Sequence, residues 1–234
     1  MRCHDPRTVW LTLAASAAFA AALFSLMPEI DLWVSGAFFR AGQGFLLTGT
    51  GWIELVRNLV WDLSIGVFLL ALLGSALALT GRRLFGLAGR FWGFVSALYL
   101  IAPLALVNGL LKAHWGRARP ANVDGFGGTA HFTPALFPTD QCAANCSFVS
   151  GEVSATVALS ITMLLALSAM AHRLPASLQR LWLGLACLLP LGVALQRIAS
   201  GRHFLSDTVF AAIITLAVAA LLARLILGWR SGGN

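Results

Sequence analysis

The chain has 234 residues, of which 59% are hydrophobic and only 11% charged, and its mean hydropathy is +0.83. A soluble domain carries about 25% charged residues, so the composition excludes one and points to an integral membrane protein. The net charge of +7 is no nucleic-acid footprint, because the cations are scattered between apolar segments, and no nucleic-acid partner is expected.

Six apolar segments follow in order: Val9–Met27, Asp62–Thr80, Phe91–Leu111, Phe148–Ala171, Trp182–Leu195 and Thr208–Gly228. A helix of about 20 residues spans a bilayer, so the expected fold is all-α. It is a bundle of six transmembrane helices forming a single membrane-embedded domain over residues 1–234. Arg2 and Arg7 precede the first segment, Arg82, Arg83 and Arg90 separate the second from the third, Arg173 and Arg180 follow the fourth, and Arg230 follows the sixth. If these are cytoplasmic, as the positive-inside rule requires, six spans alternate without conflict and both termini lie inside. The opposite face then holds Arg40, Arg57, Lys112, Arg117, Arg119, Arg197 and Arg202. Five of these seven fall in two short clusters, which suggests chemistry rather than topology.

The first segment reads as an uncleaved helix, with a cleaved signal peptide as the alternative. Pro28 to Gly51 is an outer loop whose Ile30, Trp33, Val34 and Phe38 suit a short interfacial helix. Glu54, Arg57 and Asp62 form a polar helical extension before the second span. The third span, with Asn108 in its interior, runs out into Lys112, the only lysine of the chain, and on to Arg119-Pro120. Lys112 and Arg119 lie two helical turns apart and face one point if the helix persists to Pro120, where proline halts it. Snorkelling cations at a helix end are the bland alternative.

A loop of about 25 residues follows; such length without structure marks a functional or mobile segment. Cys142 and Cys146 within it can bridge in an oxidising compartment provided the loop is not helical. No metal site is expected, since no familiar His or Cys spacing accompanies them. Ser150-Gly151 then opens the fourth span, where free backbone N–H groups form an anion cradle, with Glu152 in reach of the same space. A plain N-cap with an acidic first turn explains those residues equally. Finally, Gln196 to Asp207 packs Arg197, Arg202, His203 and Asp207 between two apolar segments. If a helix opens at Gly201, His203 and Asp207 stand at i and i+4 on one face. A carboxylate there fixes the imidazole tautomer and leaves the other nitrogen free to attack an electrophile. The flanking arginines suit phosphate.

The ordered set Lys112–Pro120, Ser147–Glu152 and Gln196–Asp207 resembles the three signature motifs of the type 2 phosphatidic acid phosphatases. That superfamily also holds vanadium haloperoxidases and glucose-6-phosphatase. The resemblance implies that His203 attacks phosphorus and carries a phosphohistidine, and that Asp207 orients it. It further implies that Lys112, Arg119, Arg197 and the backbone of Ser150 and Gly151 hold the phosphoryl oxygens. No metal or other cofactor is implied. Two residues depart from the family pattern. Gln196 stands where a serine is usual, and Glu152 stands where the family has the histidine that acts as general acid. Glu152 replaces that acid only if protonated; His114 and His131 are surrogates.

The function implied is a metal-independent lipid phosphatase of the bacterial inner membrane, with its site at the periplasmic helix ends. Its partners are the phospholipid bilayer and an amphiphilic substrate, and its oligomeric state is left open. Candidate substrates are lipid A (at the 1- or 4′-phosphate) first, then undecaprenyl diphosphate, and phosphatidylglycerophosphate or phosphatidate. A lipid phosphotransferase with the same site, a non-catalytic lipid-phosphate binder or transporter, and a vanadate-dependent haloperoxidase are the alternatives.

Overall fold

The computed structural model describes residues 5–228. Arg2 and Arg230, two of the cations assigned above to the cytoplasmic side, lie outside the described residues. Among the described residues, seven helices carry the chain: α1 Pro6–Leu26, α2 Glu29–Gly36, α3 Gly51–Leu79, α4 Gly89–His114, α5 Gly151–Met170, α6 Ala176–Ala199 and α7 Leu205–Ile226. All but α2 are long and apolar enough to cross a membrane. The six expected spans are thus found, in the expected order. The expected polar extension before the second span is also helical, since α3 opens at Gly51 and carries Glu54, Arg57 and Asp62. The interfacial helix expected after the first span is α2. A two-stranded antiparallel hairpin, β1 Phe39–Arg40 and β2 Gly44–Phe45, follows it.

Lipid supplies no hydrophobic drive between helices, so close backbone approach and polar contacts hold them together. Accordingly the buried faces are rich in small residues: Ser64, Ala71 and Gly74 on α3, Ser154, Ala155 and Ala158 on α5, Ala211, Thr215 and Ala219 on α7. Hydroxyl pairs cross between helices, Ser154 with Thr215 at 2.8 Å and Ser64 with Tyr99 at 3.1 Å. Large apolar side chains such as Leu69, Leu188 and Leu225 instead point outward and stay mostly exposed, as a lipid solvent requires. Beneath the clustered polar residues, Phe24, Val107, Phe148, Val153 and Phe210 form an aromatic and aliphatic plug.

Two expectations about local structure are overturned. The helix through Lys112 stops at His114 and does not reach Pro120. Gly116 takes φ +70°, and a Cβ there would lie 1.5 Å from the Thr139 carbonyl oxygen, so only glycine fits and the helix breaks. Nor does a helix open at Gly201. Ala199 ends α6 and Leu205 opens α7, which leaves His203 in the linker between them.

Candidate functional site

All three motifs meet at one end of the bundle because helices alternate in direction. Lys112 lies at the last turn of α4, Ser150 caps the start of α5, Arg197 lies in the last turn of α6, and Asp207 in the first turn of α7. The opposite end carries Arg7, Arg82, Arg83, Arg90, Arg173 and Arg180.

His203 is buried, with 2% of its surface exposed. Its Nδ1 lies 2.8 Å from the Ser147 carbonyl oxygen. A carbonyl only accepts, so Nδ1 carries the proton and Nε2 of the neutral ring holds a free lone pair. The expected direct bond from Asp207 is not made: its Oδ2 is 3.8 Å from Nδ1, beyond hydrogen-bond length. Orientation of the ring falls to a backbone carbonyl, and the Asp207 charge acts across the gap. The reason is that Asp207 has other work. Its Oδ2 accepts from Ser147 Oγ at 2.5 Å and from the Phe204 amide at 2.8 Å, and its Oδ1 accepts from Arg117 at 2.7 Å.

Burial pushes the His203 imidazole below its ordinary value of 6.5, with Asp207 opposing and Lys112 and Arg197 adding to the shift. The neutral ring therefore survives to lower pH than an ordinary histidine. Any reaction that uses its lone pair should show an acid limb below 6.5 in the pH dependence of kcat/KM. The sign for stability follows from the same shift. In acid the unfolded chain takes up a proton that the folded site resists, so stability present above 6.5 falls as pH drops through the lowered folded value. Melting in detergent across mild acid checks this, and a His203→Gln variant should lose that part of the slope.

Around His203 the cations converge. Lys112 is half-buried and feels the charges of Arg119, Glu152, Arg197 and Asp207. Arg119 donates to the Asn145 carbonyl at 2.7 Å, and burial together with Arg202 draws its pKa down. The Arg197 carbonyl accepts from the amides of Arg202 and His203, which ties the turn bearing the imidazole to the end of α6. Lys112 and Arg119 thus share one field although no continuous helix joins them.

Of the backbone groups expected to form a cradle at Ser150-Gly151, one is already paired. The Ser150 amide is spent on the Asp207 carbonyl at 3.2 Å, and its Oγ accepts from the Val153 amide at 3.4 Å. The first amides of a helix have no partner within it, which leaves those of Gly151 and Glu152 for an anion. Gly151 must be glycine, because a Cβ would lie 2.6 Å from Asn108 Oδ1. Asn108 is itself pinned by its bond to the Pro103 carbonyl at 2.7 Å.

Glu152 is not poised as a proton donor. Its Oε1 accepts from Arg57 at 3.0 Å and its Oε2 lies 3.5 Å from Arg197 Nε. Both carboxylate oxygens thus face arginine cations. His131 is exposed and bonds Asp124 at 2.9 Å, as a loop histidine would, and holds that carboxyl below its usual range. His114 is exposed at the end of α4. Cys142 and Cys146 are joined by a disulfide in the non-helical loop. Among the described residues, no group of three or more His, Cys, Asp or Glu side chains is placed to hold a metal.

Residues 91–230 match the model of the PAP2 superfamily, more than half of the chain and all three motifs. The chain belongs to the PAP2 superfamily. Among its relatives are lipid A 4′-phosphatases of Rhizobium etli, 31% identical with 86% of this chain and 81% of that protein aligned, and of Francisella tularensis subsp. novicida, 30% identical over 88% and 92%. A lipid A 4′-phosphatase of Rhizobium leguminosarum is 40% identical over 53% of this chain, and that match spans half of the relative's length. The PAP2-type phosphatidylglycerolphosphate phosphatase of Bacillus subtilis has a similar fold, with a TM-score of 0.56, 16% identity, and 97% and 98% of the two chains covered.

Reading the motifs by residue type missed what supports them in this PAP2 chain. Arg117 is 1% exposed and bonds both Asp207 and Asp31, the latter at 2.8 Å. It stacks on the Phe204 ring with 4.3 Å to the centroid and donates to the Thr133 carbonyl at 2.9 Å. Asp31, on α2, also accepts from the Ser206 amide at 2.9 Å and from the Ser206 hydroxyl. Burial raises the Asp31 carboxyl, and Arg117 opposes that rise. The available signal was Asp31 in the expected interfacial helix together with a third cation in the first motif; ionisable groups at membrane depth come in pairs.

Proposed function

We propose that this chain is a membrane lipid phosphatase that removes the 4′-phosphate of lipid A. The observation that carries the reading is a buried, neutral His203 whose Nε2 is free, set among Lys112, Arg119, Arg197 and the first amides of α5. Three relatives that are lipid A 4′-phosphatases supply the substrate. In this reading Nε2 attacks phosphorus in line, the bond from phosphorus to the sugar oxygen breaks, and a phosphohistidine forms. The cations and amides hold the three phosphoryl oxygens as charge develops. The Asp207 charge steadies the cationic ring. Water then attacks phosphorus, the nitrogen–phosphorus bond breaks and inorganic phosphate leaves. The sugar oxygen takes its proton from solvent at the headgroup layer, since Glu152 is held by two arginines. The arginine-rich end opposite the site argues for cytoplasmic termini and a periplasmic site, and the Cys142–Cys146 bridge fits that compartment.

Purified protein in detergent, given lipid A, undecaprenyl diphosphate, phosphatidylglycerophosphate and phosphatidate, should release phosphate fastest from lipid A. Mass spectrometry should place the loss at the 4′ position. Binding without release from any of these would make the chain a lipid-phosphate binder. Substituting Glu152→Gln removes the anion between Arg57 and Arg197. It should lower kcat about tenfold to a hundredfold, from the roughly 1.5–3 kcal/mol of a charge-assisted bond. The loss should be equal for good and poor leaving groups; a loss confined to poor ones would make Glu152 the acid after all.

A further inference from the structure

Between α3 and α6 runs an open apolar groove of about 320 Å³, facing lipid and walled by Trp52, Ile53 and Val56 on one side and Leu188, Gly192 and Gln196 on the other. It reaches along α6 from Gln196 down to Leu185, roughly 16 Å at 1.5 Å per residue, about one leaflet of a hydrocarbon core near 30 Å thick. Its upper end joins the site. Arg57, Val60 and Val193 line both the groove and the small cavity that holds Glu152, and Gln196 adjoins Arg197. At that junction sits an unmet donor. Gln196 is 8% exposed, its oxygen lies 3.4 Å from Arg197 Nη1, and among the described residues its Nε2 has no hydrogen-bond partner. A buried amide N–H left unpaired is costly, and serine, too short to reach the groove, is what the resemblance leads one to expect at this position.

We propose that this groove seats one acyl chain of the lipid whose phosphate lies at His203, and that Gln196 Nε2 donates to the ester or amide carbonyl at which that chain begins. The inference rests on the lipid-phosphatase reading for its phosphate end. The groove faces the membrane at the depth a chain of the outer leaflet occupies when its headgroup sits at the helix ends. The carbonyl lies between the apolar chain and the phosphate, as Gln196 lies between Leu188 and Arg197. Gln196 is then a specificity residue, which recognises that the substrate is acylated.

The test uses the full-length protein in detergent with a long-chain phosphatidate bearing a photoactivatable group in its acyl chain. Label concentrated on Trp52 to Val60 and Leu185 to Gln196 supports the groove; label spread over α1 and α7 overturns it. Gly192 has open space where a Cβ would stand, so Gly192→Phe fills the groove without crowding the backbone. It should abolish that labelling and raise KM for the long-chain lipid roughly tenfold, with hydrolysis of a soluble aryl phosphate unchanged. Equal KM values for variant and wild type would overturn the proposal. Wild type should favour an ester-linked over an ether-linked lipid phosphate, and Gln196→Leu should erase that preference; a preference that survives removes Gln196 from recognition. Groove labelling without phosphate release from any substrate would sink the phosphatase reading and leave the chain-binding groove standing.

Discussion

Replacing His203 with alanine should lower phosphate release by about 10⁴-fold or more, the scale on which removing a covalent nucleophile acts. The Ser147 carbonyl fixes the proton on Nδ1 and leaves Nε2 with a free lone pair beside the cations. Ser147 and Ser206 are both buried and tied to Asp207 and Asp31. Lipid binding should survive, because Lys112, Arg119, Arg197 and the amides of Gly151 and Glu152 remain. Rapid quenching of wild type with labelled substrate should trap an acid-labile phosphoenzyme, absent from His203→Ala. Residual release above about one per cent of wild type would place the nucleophile elsewhere.

Much of this was legible in the sequence, for identifiable reasons. Six spans could be read because a bilayer fixes both the length and the polarity of a helix. The site could be read because the same span count forces Lys112, Ser150, Arg197 and His203 to one end. What could not be read was the irregular backbone between the spans. The helix periodicity that brought Lys112 and Arg119 together on paper fails at Gly116, and they converge through a folded loop instead. The i, i+4 relation of His203 and Asp207 is also lost, because Phe204 serves as the N-cap of α7 and Asp207 reaches back to its amide. Spacing was a sound guide to proximity here and a poor one to conformation. Glu152 shows a different limit: its partner Arg57 is 95 residues away, and no local pattern announces a bridge of that span.

Arg117 tests how far the site depends on groups that never touch phosphate. It links α2, the outer loop and α7 through Asp31, Thr133 and Asp207, and both carboxylates are shielded from water. Arg117→Ala leaves two buried carboxylates facing each other without a counter-charge, and breaking a buried pair in this way costs about 3–5 kcal/mol. The variant should therefore melt far below wild type in detergent. The coupling is specific. Asp31→Asn removes one of the stranded charges, so the Asp31→Asn/Arg117→Ala double variant should be less destabilised than the two single losses added together, by about 1–3 kcal/mol. Strict additivity would mean that the bridge carries no such interaction. Arg117→Lys keeps the charge but cannot span both carboxylates with one planar fork. It should fold, bind lipid with unchanged KM and lose kcat, because Asp207 also holds Ser147, whose carbonyl sets the His203 ring. A lysine variant with full kcat would show that the fork only braces the fold and does not position the nucleophile.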